Sequence, residues 1–175
     1  MIMKAEELIR LPEFIGQDST ILQSKLDALE LLIRGYTHNN FQVRSIRCEG
    51  ASQGNTLFCI HPFMAVDDTI QISESEVNDG LYIISSINND NILVDKSMYA
   101  VDYNLVTLVR YPADIKQGII DLMKWEIDNR QKIGIKSESL SRHSVTYFDQ
   151  DANNQVMGYP VSLLGFLGSY KKARF

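Results

Sequence analysis

Cysteine is scarce in this chain: of 175 residues only Cys48 and Cys59 carry a thiol. They form no CxxC pair and are too few for a disulfide framework, so two reduced, partly buried thiols are expected. Histidine is nearly as rare. His38, His61 and His143 stand neither four residues apart nor beside a cysteine at ligand spacing, which argues against a metal centre. Long apolar runs are missing too: the run at 105–109 is far too short to cross a bilayer, and MIMKAEELIR lacks the apolar core of a signal peptide. A protein made inside the cell, with no membrane span, is expected. Positive charge is in deficit, with a net charge of -5 and a pI near 5.2. The molecule as a whole is therefore repelled by a phosphate backbone, and the one basic cluster, Lys171, Lys172 and Arg174, lies at the tail. Glycine-rich phosphate loops and a GxSxG elbow are absent as well.

What is present is a globular composition, 45% hydrophobic and 22% charged, enough for one core with an inserted subdomain. Residues 4–10 read as a short helix stopped by Pro12. A second helix, capped by Asp18 or Ser19, buries Leu22, Leu26, Leu29, Ile33 and Tyr36 and wets Gln23, Lys25, Asp27, Glu30 and Arg34, ending at 37–40. From Phe41 the pattern turns to short β-branched and aromatic runs at 43–48, 56–60, 69–73, 81–87, 92–94 and 105–110, with turn chemistry at 50–55, 77–80 and 88–91. Pro112 then opens a third helix whose buried stripe is Ile115, Ile119, Leu122, Met123 and Ile127, with Trp125 on its shoulder and an end near Ile133 before Gly134. A serine-rich arm follows, with a strand at 145–148 and a polar tip. A last helix over 161–170 buries Leu163, Leu164 and Leu167, weakened by Gly165 and Gly168.

The fold class is α+β: a small helical bundle from residues 1–41 and 111–175, with an extended arm at 135–158 and a C-terminal tail, into which 42–110 inserts a small antiparallel β-sheet or barrel.

Catalytic readings fare poorly. His143 among Ser139, Ser141 and Ser144 invites a serine hydrolase, but nothing supplies the strained elbow or oxyanion hole such a nucleophile needs. Asp67, Asp68, Glu74 and Glu76 fall where turn chemistry accounts for them. A nucleic-acid module on the β region would pair exposed aromatics with basic residues, whereas 61–102 offers Lys96 alone among many carboxylates. A non-enzymatic protein without cofactor is expected, the alternative being a small β-module that binds nucleic acid or regulates.

The segment WEIDNRQKIGIKSESLSRHSVTYF, the later MGYPVSLLGFLGSYKKARF, and the N-terminal LIRLPEFIGQDSTILQSKLDALELLIRGYTHNNF resemble, in that arrangement along the chain, the head-tail connector (adaptor or head-completion) proteins of long-tailed bacteriophages. Together they cover about two-thirds of the chain, and their order carries the likeness more than any one residue. The resemblance implies a virion protein of the neck, synthesised in the host cytoplasm, that forms a homo-oligomeric ring of twelve beneath the portal. The ring would continue the tunnel for double-stranded DNA without binding it specifically, and meet a tail-proximal connector or stopper protein. Carried onto this chain, Tyr159, Pro160, Lys171, Lys172, Arg174 and Phe175 would dock on the portal. Ser137, Glu138, Ser139, Ser141, Arg142, His143 and Tyr147 would line the tunnel or reach a neighbouring subunit. The β insert departs from the compact members of the family and is expected on the outside or tail-facing side.

Overall fold

The computed structural model describes residues 1–129, 137–140, 143–146 and 155–173, with 137–140 and 143–146 as backbone alone. The fold is α+β, with three helices, a four-stranded antiparallel sheet and two small hairpins among the described residues. The chain divides into two compact units, one of Met1–Ile2 with Asn39–Tyr111, the other of Met3–His38 with Pro112–Phe175.

The first unit is a small β-barrel built from β1 (Gln42–Leu57), β2 (Thr69–Ser73), β3 (Gly80–Ile87) and β4 (Ile92–Val109). Two of its strands are longer than the sequence suggests. The run at 43–48 and the start of that at 56–60 belong to a single β1, which stops at Leu57, and 92–94 and 105–109 are parts of a single β4. The turn expected at 50–55 is instead a stretch of bulged strand, with register shifts on either side of Ser52 and Gly54. Extra residues in one strand sharpen its twist, so β1 and β4 can curl around a core where flat strands would run past it. Closure follows from the pairing: β2 pairs with β3 and with the end of β4, while β3 pairs with the start of β4. Ile70, Ile72, Ile84, Ile92, Val106 and Leu108 fill the interior at 0% exposure, and the end of β4 is buried on both faces, with Thr107 at 0% and Val109 at 4%.

Asn78 seals one side of this barrel. Its Nδ2 donates to Ser52 Oγ and to the Tyr99 carbonyl, both at 3.0 Å, its Oδ1 accepts from the Tyr99 N–H at 2.9 Å, and its own carbonyl accepts from Tyr82 Oη at 3.0 Å. A side chain 2% exposed is tolerated there because its donors and acceptor are met. The nearby carboxylates behave as turn formers: Asp68 accepts from the Ala65 N–H and Asp79 from the Ser75 N–H, each at 2.9 Å.

The second unit is helical. α1 (Ala5–Ile9) leads through a 3-10 turn at Pro12–Phe14 to α2 (Ser19–Thr37), and α3 (Ala113–Asn129) follows the barrel. Asp18 caps α2 by accepting from the N–H groups of Thr20 and Ile21 at 2.8 and 3.0 Å, and His38 closes it in the left-handed conformation, φ 50°. Leu8, Phe14, Leu22, Leu26, Ile33, Ile115, Ile119 and Leu122 make the core. The expected wet face of α2 needs correction. Glu30 and Arg34 are buried at 4% and 9%, while Leu31 is 66% and Leu32 40% exposed. The buried arc is therefore turned about the helix axis relative to the simple stripe.

The third helix is described as far as Asn129, so its expected end at Ile133 lies outside the described residues. Beyond it, β5 (Ser137–Leu140) pairs antiparallel with β6 (His143–Thr146), and β7 (Gln155–Val156) with β8 (Tyr159–Pro160). The arm thus contains paired strand, and of the strand expected at 145–148 the first two residues lie in β6. Met157 and Gly158, at φ 57° and 79°, form the two-residue turn of the second hairpin, both positive as such tight hairpins prefer. The expected last helix, Val161–Tyr170, is a 3-10 helix. Three residues per turn put Leu164, Leu167 and Tyr170 on one line; Leu164 and Leu167 are buried and Leu163 is only half-buried.

Candidate functional site

Among the described residues, the C-terminal segment makes several specific polar contacts with the helices beneath it. Tyr159 is 4% exposed; its hydroxyl donates to Glu126 Oε2 at 3.1 Å and its ring lies 5.4 Å from that of Trp125. The same carboxylate meets Lys25 Nζ at 3.1 Å through Oε1, so both oxygens of a side chain 7% exposed are occupied. Trp125, expected on the shoulder of the α3 stripe, is placed there by Tyr159. Tyr159 and Pro160, expected to dock on the portal, are both buried in the isolated chain. They fasten the segment to α3, and apolar bulk with a single satisfied hydroxyl explains why they lie inside.

The tail then runs over the end of α2. The Lys172 N–H donates to the Thr37 carbonyl at 2.8 Å, satisfying one of the acceptors left open at a helix C-terminus. Lys171 Nζ lies 2.8 Å from Tyr36 Oη and 4.0 Å from the centroid of that ring. Its charge stands at the negative end of the helix, where a cation is favoured. Lys171 and Lys172 are exposed. Arg174, Phe175, Ser141, Arg142 and Tyr147 lie outside the described residues. Ser137, Glu138 and Ser139 fall on β5 and His143 on β6, with Leu140 opposite His143.

Beside Tyr36 runs an open apolar groove of about 620 Å³, lined by Ala28, Leu31, Leu32, Gly35, Tyr36 and Met157. Sequence reasoning missed it, although the run Leu31-Leu32-Ile33 carried a trace: three consecutive helical residues span too wide an arc to share one core. Among the described residues no three His, Cys, Asp or Glu side chains gather in a way that could hold a metal ion, and no helix is long and apolar enough to cross a membrane.

Tyr170 gives this surface a pH response. Its hydroxyl donates to both Asp114 oxygens at 2.7 and 2.8 Å, and that bond raises its pKa above the ordinary tyrosine value. A group whose folded pKa is raised contributes fully below its unfolded pKa, near 10, and that contribution is lost as pH rises through the folded value. Alkaline titration of tyrosinate absorbance, as the difference between the native chain and Tyr170→Phe, should show one tyrosine ionising later than the ordinary value. In Asp114→Asn that delay should shrink.

Neither a protein-family model nor a curated protein sequence matches the chain.

Proposed function

We propose that the chain is a structural virion protein, a head-tail connector that assembles as a ring beneath the portal, continues the DNA tunnel and presents a surface to the tail-proximal connector or stopper. The observation that carries this reading is the apolar groove on α2 beside exposed Lys171 and Lys172. A leucine 66% exposed on a well-formed helix, grouped with a second leucine and a tyrosine, is the kind of patch that association covers. The resemblance of the two flanking segments and the C-terminal sequence to phage connectors supplies the partner. The net charge of -5 suits a tunnel through which DNA must slide, since each phosphate neutralised by a cation would hold the strand.

The test is to mix the purified chain with the portal of its own virus and image the complex. A coaxial ring at the narrow end of the portal is expected, and the Leu31→Glu, Leu32→Glu double variant should lose it while keeping the native melting temperature, both side chains being exposed. If the native chain stays monomeric and unassociated at every ionic strength, the reading fails. A second reading, a nucleic-acid-binding or regulatory β-module, draws on Phe63 and Tyr99, 70% and 71% exposed on the barrel unit. Salt-dependent retention of the chain on immobilised DNA would favour it.

A further inference from the structure

The two cysteines stand 11 residues apart along the chain, yet their Sγ atoms lie 2.7 Å from each other. The contact follows from the course of β1. Once the strand ends at Leu57, the chain doubles back over its own middle: the Phe58 N–H donates to the Ala51 carbonyl at 2.9 Å, and Gly50 leaves room for Phe58 against its Cα. That crossing carries Cys59, two residues past the strand, onto Cys48 in its first half. We propose that Cys48 and Cys59 are an oxidation site that forms an intramolecular disulfide, stapling the segment after β1 to the first half of β1 across the crossing.

Reaching a disulfide of about 2.05 Å from this separation needs only a small closing movement of the two side chains. The thiols also differ in the way that stepwise exchange requires. Cys48 is half-buried and lines an open groove of about 560 Å³ with Arg47, Glu49, Glu74, Tyr103 and Leu105, whereas Cys59 is buried. The hydrogen bond between them favours ionisation of Cys48, whose pKa is lowered, while the same contact and burial push Cys59 up. With a small-molecule disulfide as oxidant, the Cys48 thiolate attacks one sulfur, forming a mixed disulfide and expelling one thiolate. Cys59 then gives up its proton to solvent and attacks the Cys48 sulfur, expelling the second. The sum is two protein thiols plus one external disulfide giving one protein disulfide plus two external thiols.

The native full-length chain is incubated with oxidised glutathione and assayed by thiol titration, intact mass, and digestion with trypsin plus a glutamyl endopeptidase. Cleavage after Arg47, Glu49 and Glu74 leaves Cys48-Glu49 as a dipeptide separate from the fragment 50–74. The expected result is loss of both thiols with no retained glutathione and no dimer, the dipeptide joined to 50–74, and a melting temperature raised by roughly 5 °C or more. Cys59→Ser should instead stop at a stable glutathione adduct on Cys48. Glutathione retained on the native chain, linkage only between two chains, or linkage only after unfolding in urea would overturn the proposal. A joined peptide with no rise in melting temperature would overturn the staple.

Discussion

Replacing Gly118 by valine should loosen the C-terminal 3-10 segment and cost about 3 kcal/mol of stability. Gly118 sits in α3 against the ring of Phe166, and a Cβ built on it would lie 2.4–2.5 Å from the Cζ and both Cε atoms. The half-buried ring must swing aside from Gly118, which disturbs its packing on α3. Leu164 and Leu167, 4% and 0% exposed, lie two positions before and one after Phe166, and uncovering either costs about 1.5–3 kcal/mol. Chemical denaturation reads the loss, and amide hydrogen exchange over 161–170 reads its place. Combining Gly118→Val with Phe166→Ala should recover part of it, because the small partner leaves room for the new methyls. A coupling of about 1 kcal/mol or more in that cycle separates a steric clash from a mere loss of apolar area.

Gly50→Ala should have a comparable effect on the barrel, about 3 kcal/mol, for a different reason. The new methyl would meet the Phe58 carbonyl, which is backbone and has no rotamer to turn away. Relief requires pulling apart the crossing of β1, and with it the approach of Cys48 to Cys59. Faster exchange of β1 and β4 amides and a loss of the concerted thiol oxidation should accompany the lowered stability. Gly54 provides the contrast: its φ is 59° but a Cβ there meets nothing within 4 Å. Gly54→Ala should therefore cost only the left-handed penalty, about 1 kcal/mol.

The fold class was legible because helical and strand periodicities seldom imitate one another. The α2 and α3 stripes, the Asp18 cap and the change of pattern after Phe41 all stand in the sequence, and each corresponds to an observed element. The length of β1 and β4 was not legible. Bulges at Ser52 and Gly54 use the same residue types as turns, so a bent strand and a hairpin read alike until pairing is known. The 3-10 form of the last helix was not legible for a similar reason: Leu163, Leu164 and Leu167 also fit a period of 3.6, and only the buried line through Leu164 and Leu167 picks out a period of three. Of the candidate site, the tail lysines were visible as charge, but the burial of Tyr159 and Pro160 against α3 was not, because a dipeptide so short carries no periodicity. The groove on α2 and the thiol contact depend on how distant residues are brought together, which no local pattern encodes.

The barrel begins and ends at one place. The Arg110 N–H donates to the Phe41 carbonyl at 3.0 Å, and the rings of Phe41 and Tyr111 lie 4.8 Å apart. To the helical part of the chain, an excursion whose ends are held side by side counts as a short connection whatever its contents, since closure entropy answers to the separation of the ends. The barrel is in that sense a cassette. A tag or a foreign domain spliced between Phe41 and Arg110 would likewise have its ends held side by side.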